Sequence, residues 1–200
     1  YTAYIGADNK EIGSSMAEYL AGALPGNGRI LELCGLSTSS PAIERSEGFD
    51  SVVATRPRLQ IVEQAHADWT EQGAYRTMDS LLSHPYPQFD CLFAHNDRMA
   101  MGARRAAAKH GLDISNIQFC GIDAMPQKGG GMQLVADGTL FASYIYPTRG
   151  DEVMQLAMNI LTNKKYKREN QLSSALVTRD NARVLLMQND ETVRQQDHLS

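Results

Sequence analysis

Strand-like and helix-like patterns alternate along this chain from its first residues to about residue 146. Helical spacing of apolar residues follows the cap signal Asp8-Asn9 and returns in further segments, at about 41–55, 70–83, 98–110 and 126–137. Strand-like runs lie before and between them, at about 2–7, 29–36, 59–65, 89–95, 117–122 and 140–146. Because helices of this length connect neighbouring parallel strands, the alternation predicts an α/β fold with a doubly wound parallel sheet.

The pattern changes after residue 146. An apolar stripe predicts a helix at about 149–163, and an extended piece at 174–178 and a second apolar run at 184–187 come after it. We interpret residues 1–146 as one lobe and residues 147–188 as a return helix with terminal strands that link two lobes. The almost wholly polar residues 189–200 read as a tail toward a membrane segment.

Charge argues against a nucleic-acid partner for this region, and hydropathy argues against a membrane-spanning segment within it. The 200 residues carry a formal net charge of −4, whereas a surface that tracks nucleic-acid phosphates needs clustered Lys and Arg. The one basic cluster, residues 164–168, is short and reads as a solvated helix end. No apolar run in the sequence is long enough to span a membrane.

The sequence offers no catalytic or metal-binding motif. It lacks a GxSxG elbow, a P-loop, a dinucleotide fingerprint, a CxxC pair and HExxH. Cys34, Cys91 and Cys120 each lie in an apolar strand-like run, which favours small buried side chains over a disulfide or a metal site. We therefore expect a binding protein with no catalytic residue, no metal and no cofactor.

Polar side chains follow each predicted strand at the point where it ends. In an open parallel sheet, ligands bind at these carboxyl ends. The residues in question are mostly carboxylates and amides with one large aromatic ring: Asp8-Asn9, Ser37-Thr38-Ser39, His66, Asp68, Trp69, Asn96-Asp97 and Asp123. Planar polar groups that hold adjacent hydroxyls, with a ring that covers C–H groups, suit a neutral polyol.

Each of these residues also has a structural interpretation from its position alone. Asn96 or Asp97 could cap the following helix, and Asp123 could be an ordinary turn carboxylate. Trp69 could cover an edge of the core. Arg45, in the second helix, would by default be a solvated helix residue.

Four motifs, in order, resemble the ribose-binding group of type I periplasmic sugar-binding proteins. Ser40–Phe49 resembles the arginine-bearing helix of that family, and Phe93–Ala103 resembles its Asn-Asp-x-Met-Ala-x-Gly-Ala signature. Gly121-Ile122-Asp123 stands where the family has Gly-x-Asp, and residues 136–142 resemble its Asp-Gly-x-Leu-x-Ala segment. The resemblance covers residues 1 to about 165 and implies a lobe of the periplasmic-binding-protein type I fold.

The resemblance also implies which residues bind the ligand. Arg45, Asn96 and Asp123 correspond to hydroxyl-binding groups, and Trp69 falls near the aromatic position of this lobe. At Tyr146 the ribose-binding proteins have a glutamine, so the identity of the sugar is left open. Asp8 is carried over as a further contact at the crossover between lobes. The implied ligand is a monosaccharide, a pentose or a ketohexose-like sugar.

A second, shorter resemblance concerns residues 175–186. They look like a segment of Bacteroides-type hybrid two-component sensor kinases, whose periplasmic sugar-binding region continues into a membrane helix. This implies a periplasmic sensor that signals by hinge closure to a membrane-anchored kinase in the same chain; homodimer formation is left open. The alternatives are the soluble sugar-binding protein of an ABC transporter and the effector domain of a sugar-responsive repressor.

In the family, about a hundred residues of an N-terminal lobe precede the region that corresponds to this chain and supply the other half of the cleft. We expect that lobe to be largely missing from these 200 residues. The helix at 149–163 would then keep part of its apolar stripe exposed. We also expect weak or no sugar affinity from the 200 residues alone.

Overall fold

Strands and helices alternate along the molecule, as the sequence predicts. The computed structural model describes the backbone of residues 1–197 and the side chains of residues 1–190. In chain order the elements are β1 (Tyr4–Gly6), α1 (Asn9–Ala23), β2 (Gly28–Cys34), α2 (Ser40–Val53), β3 (Leu59–His66), α3 (Glu71–Leu82), β4 (Cys91–Ala94), α4 (Asp97–Lys109), β5 (Gln118–Cys120), α5 (Gly131–Ala136), β6 (Ala142–Tyr144), α6 (Gly150–Leu161), β7 (Glu169–Gln171), β8 (Leu176–Thr178) and α7 (Ala182–Asp197).

Six strands form the main sheet in the order β3-β2-β4-β5-β6-β8. All neighbours are parallel except β6 and β8, which run antiparallel. The strand order reverses between β2 and β4, so the ends of these two strands open onto the crevice in which ligands of such sheets bind. The first strand lies outside this sheet, because β1 pairs with β7 in a separate two-stranded sheet.

The core consists of two apolar layers, one on each face of the main sheet. Alternation along β4 shows how they form: Cys91 and Phe93 belong to the layer under α1 and α2, whereas Leu92 and Ala94 belong to the layer under α3 and α4. Burying one large apolar side chain contributes about 1.5–3 kcal/mol, so these layers hold the sheet and helices together. Cys34, Cys91 and Cys120 are buried and unpaired, as their apolar surroundings predict.

Helix starts follow from side-chain caps in the sequence. Asp8 accepts a hydrogen bond from the Glu11 N–H at 2.9 Å and so caps α1. Thr70 caps α3 in the same way through the Gly73 N–H, also at 2.9 Å. Since capping replaces a lost intrahelical partner, these residues fix where each helix leaves its strand.

Two predicted elements differ from those observed. The helix predicted at 126–137 is only the short α5, because Pro126 and the left-handed backbone of Gly129 (φ 75°) hold the preceding residues in a loop. The apolar run at 184–187, predicted as a terminal strand, lies within α7, where Leu185 and Leu186 pack on the core. The proposed division at residues 146 and 188 stays a prediction, as does the tail, whose side chains from residue 191 onward and last residues 198–200 lie outside the described part.

Helix α6 has the exposed apolar stripe that the sequence predicts. None of its residues is buried, and Val153 and Leu161 of the predicted stripe are 43% and 77% exposed. A helix with one apolar face normally buries that face against another element. Among the described residues, no helix is both long and apolar enough to cross a membrane.

Helices α1 and α2 approach each other closely at two glycines. A Cβ atom on Gly13 would lie 2.1 Å from the Arg45 carbonyl oxygen, and one on Gly48 would lie 2.0 Å from that of Lys10. No side chain fits at such distances, so the two helices touch backbone to backbone. The contact fixes the backbone of Arg45, a candidate site residue.

We predict that Gly13→Ala lowers the free energy of unfolding by about 1–3 kcal/mol, because α1 and α2 must move apart. Gly22→Ala is the matched control: Gly22 is exposed in the same helix with open space around it, so alanine should stabilise by roughly 0.5–1 kcal/mol. Urea denaturation of both variants measures the difference. Equal stability of the two variants would contradict the close contact.

Candidate binding site

Five of the six candidate residues gather at the carboxyl ends of the parallel strands. Arg45 reaches there from α2, Trp69 follows β3, Asn96 follows β4, Asp123 follows β5, and Tyr146 follows β6. The Arg45 guanidinium carbon lies 5.6 Å from the centre of the Trp69 ring and 5.2 Å from that of Tyr146. The cluster thus combines a cation, two aromatic rings, an amide and a carboxylate.

Arg45 is buried, with 5% of its surface exposed. Its Nε donates to the Asn9 side-chain oxygen at 2.9 Å, and one terminal nitrogen donates to the His95 carbonyl oxygen. Burial lowers the pKa of Arg45, while the nearby Asp123 carboxylate opposes that shift. A guanidinium has five N–H donors, so donors remain beyond these two bonds.

Trp69 stands in an unusual backbone conformation, with φ at 67°. Its ring packs on Gly35, the residue after β2: a Cβ atom at Gly35 would lie 2.2 Å from an indole ring carbon. Only glycine at position 35 leaves room for the Trp69 ring. A side chain at position 35 would push the aromatic wall away from Arg45.

Asn96 caps α4, which was one of its two interpretations from sequence. Its amide oxygen accepts from the Met99 N–H at 2.8 Å, and its amide nitrogen donates to the Trp69 carbonyl oxygen at 3.0 Å. One N–H of that amide remains beyond these bonds. Asn96 therefore joins the start of α4 to the loop that carries Trp69.

Asp123 is half-buried and has a left-handed backbone, with φ at 115°, as does Ala124 with φ at 43°. Burial raises the pKa of Asp123, and Arg45 and Arg98 oppose that shift. Within the described residues no hydrogen bond to its carboxylate is present. The carboxylate is thus an acceptor without a protein donor.

The Asp97 carboxyl group holds the strained loop at Asp123. Its two oxygens accept from the Ala124 N–H at 2.8 Å and from the Ser143 hydroxyl at 2.6 Å. Burial raises the pKa of Asp97 to about 7. From its position alone Asp97 could be a helix cap; in the structure it links β4, β5 and β6 instead.

Asp8 lies apart from the other five candidates. Its carboxylate caps α1, and among the described side chains no hydrogen bond or ion pair joins it to them. The neighbouring Asn9 is the one that enters the site, where it is 3% exposed and holds Arg45. Position after the first strand pointed to the Asp8-Asn9 pair, but position alone could not show which of the two side chains faces the site.

His95 and Glu32 lie beneath the site and were not expected from the sequence. The His95 ring nitrogen Nε2 lies 2.9 Å from a Glu32 carboxylate oxygen, and both side chains are fully buried. Together with Cys34 they bring three side-chain atoms of the kind that can bind a metal ion within 4.8 Å of one another. Their hydrogen bonds to Ser46, Gln64 and Gly35 account for the cluster as a polar network.

A family of known proteins shares this architecture. Residues 1–165 match the model of the periplasmic binding protein domain. The chain belongs to the periplasmic binding protein domain family. The family match and the sheet order confirm the predicted type I lobe, and the family confirms the predicted periplasmic localisation.

Individual members of the family give closer comparisons. The fructose-binding periplasmic domain of a hybrid two-component system is 46% identical, with a TM-score of 0.91, over 99% of this chain and 65% of that one. A Mycobacterium smegmatis protein in complex with β-D-fucofuranose is 28% identical, with a TM-score of 0.85, over 98% and 64%. The ribose import binding protein of Escherichia coli K12 is 32% identical over 70% of this chain. The chain spans about half the length of the curated relatives it matches; for the last one the share is 45%.

We predict a pH-dependent contribution of Asp97 to stability. Its folded pKa of about 7 lies above the ordinary 3.8, so between about pH 4 and 7 unfolding releases its proton and the free energy of unfolding falls as pH rises. Asp97→Asn replaces the titrating carboxyl group with a neutral amide, which removes this pH dependence. The stability difference, wild type minus variant, should fall by roughly 2 kcal/mol from pH 5 to 7 in urea titrations.

Asp50, whose pKa burial raises to about 6, is present in both proteins and cancels in this difference. A stability difference that stays constant from pH 5 to 7 would show that Asp97 is ionised throughout.

Proposed function

We propose that this chain supplies one lobe of a cleft that binds a neutral monosaccharide, a pentose or a ketohexose. The observation that carries the proposal is the Arg45 guanidinium, which lies between Trp69 and Tyr146 with unused donors and close to the Asp123 carboxylate. Arginine donates to a hydroxyl oxygen and aspartate accepts from a hydroxyl hydrogen, so the pair suits neighbouring hydroxyls of one sugar.

Charge also favours a neutral ligand. Among the five side chains of the cluster, the positive Arg45 and the negative Asp123 offset each other, so the cluster itself carries no net charge. Relatives agree with this interpretation: the two-component domain is a fructose-binding domain, and the M. smegmatis protein carries β-D-fucofuranose. A five-membered ring with adjacent hydroxyls is common to the furanose forms of such sugars.

Sensing is the role we propose for the whole protein, with hinge closure around the sugar passed to a kinase in the same chain. The relative with 46% identity belongs to a hybrid two-component system. The structure offers a path for the signal: Tyr146 follows β6, which pairs with β8, and the Ile145 N–H donates to the Ala175 carbonyl oxygen at 2.8 Å. Helix α7 follows β8 and packs on α5.

Transport is the second candidate, because a ribose import binding protein is 32% identical over 70% of the chain. Such a protein would use the same site but hand its sugar to a membrane permease. The two roles differ in the event that sugar binding triggers, a change in kinase activity or delivery to the permease. Homodimer formation stays a prediction under both.

We predict that the full-length protein, reconstituted in membrane vesicles, changes its autophosphorylation rate severalfold when D-fructose or D-ribose is present on the periplasmic side. A sensor shifts its open and closed populations only by the differential affinity of the sugar, so the response should saturate with the binding curve. Sugar binding without any change in phosphorylation would favour transport.

We also predict that Arg45→Ala and Asp123→Ala in the complete periplasmic region each weaken sugar binding by at least tenfold. Each removes a charged hydrogen-bond partner, which contributes about 1.5–3 kcal/mol. Arg56→Ala is the matched control, since Arg56 forms an exposed ion pair with Glu18. The readout is the sugar-induced rise in melting temperature across a panel of pentoses and hexoses; full retention of that rise in both variants would place the site elsewhere.

A further inference from the structure

The buried pair of Glu32 and His95 lies directly under the proposed sugar site. Glu32, in the middle of β2, accepts from His95 at 2.9 Å, from the Ser46 hydroxyl at 2.9 Å and from the Gln64 amide at 2.7 Å. Burial alone would raise the pKa of Glu32, but these bonds, above all that from His95, hold it below its ordinary value. An ionised carboxylate in the core with three donors is a fixed anchor.

The contacts of His95 determine where its proton lies. The Gly35 backbone N–H points at Nδ1, 3.3 Å away, so Nδ1 is an acceptor. The proton therefore sits on Nε2 and is donated to Glu32. Burial lowers the pKa of His95, which agrees with a neutral ring. Both ring nitrogens are thus used, and the ring can hold only one orientation.

Residue 95 contacts both walls of the proposed sugar site, one through its backbone and the other through its ring. Its backbone carbonyl oxygen accepts a hydrogen bond from the Arg45 guanidinium. Gly35, whose N–H binds the ring, is the residue on which Trp69 packs. The Trp69 and His95 ring centres are themselves 6.3 Å apart. One residue therefore contacts the cation through its backbone carbonyl and the aromatic surface through its ring, and the ring, held by Glu32 and Gly35, fixes the backbone from which that carbonyl extends.

We propose that His95, oriented by Glu32, is a positioning residue that sets Arg45 and Trp69 for the sugar without touching it; this rests on the proposed function. A buried ion-type pair that only stabilised the fold could be replaced by apolar side chains of similar volume with little loss. A positioning pair could not, because the site geometry would change. The two roles therefore predict different effects of such a replacement on sugar affinity, and similar effects on the stability of the fold.

The test uses the double variant Glu32→Leu/His95→Phe, which leaves no unpaired buried charge. In the complete periplasmic region its sugar affinity should fall at least tenfold by calorimetry. Glu32→Gln keeps an acceptor for His95 and should bind within about threefold of wild type. Leu20→Ala, in the core layer under α1 and α2 rather than the layer against which Trp69 packs, should lower the melting temperature but leave affinity unchanged, which separates instability from mispositioning.

A second readout needs no sugar. Trp69 is the only tryptophan of these 200 residues, and in the complete periplasmic region the emission that is lost in Trp69→Phe is that of this wall of the site. The emission maximum should shift in the double variant and not in Glu32→Gln or Leu20→Ala. If the double variant does not fold, His95→Gln replaces it, because glutamine can place its amide N–H at the position of Nε2 to bind Glu32 but has no acceptor at the position of Nδ1 for the Gly35 N–H.

The proposal is overturned if the folded double variant, or His95→Gln in its place, keeps either the wild-type affinity or the wild-type emission. Absence of sugar binding by the wild-type region is a different result, since it would refute the proposed function. The emission measurement would still decide whether His95 sets the position of Trp69.

Discussion

The arrangement of this lobe depends on one buried charge, the Arg45 guanidinium. A charge removed from water is costly unless its donors are paired and its field is compensated. At Arg45 the compensation comes from four directions: the Asn9 side chain, the His95 carbonyl oxygen, and the faces of Trp69 and Tyr146. These partners belong to α1, the end of β4, and the loops after β3 and β6, so satisfying one side chain requires the correct arrangement of most of the sheet's carboxyl edge.

The order of elements could be predicted from the sequence because the apolar period switches between strand and helix at every element. Where the prediction was wrong, a local competitor decided the outcome. Residues 126–130 precede the apolar run of α5, but the backbone preferences of Pro126 and Gly129 hold them in a loop. Residues 184–187 form a run too short to distinguish strand from helix by period. The first strand has an ordinary strand pattern, and no pattern could show that its partner would be the distant β7.

The residues of the candidate site also divide into those that the sequence could predict and those that it could not. Position after a strand predicted Trp69, Asn96 and Asp123, because parallel strands bring their carboxyl ends to one edge. Arg45 lies inside a helix, where position alone favours a solvent-exposed side chain. Only the family resemblance pointed to Arg45 as a binding residue. His95 was missed because it reads as the last residue of an apolar strand; its importance depends on Glu32, 63 positions earlier, which no local signal connects to it.

Contacts within the protein fix the side chains of the proposed site, and under the proposed function this bears on how the lobe would signal. Arg45, Asn96 and His95 each use protein partners on more than one side, so they have little rotamer freedom to lose on binding. Ordering a flexible side chain at an interface costs about 0.5–1.5 kcal/mol, and here that cost is small. Moving a two-state hinge from 1:99 to 99:1 requires roughly 5.5 kcal/mol of differential affinity. A lobe that does not use sugar contacts to order itself leaves more of that free energy for closure, which is what a sensor must transmit.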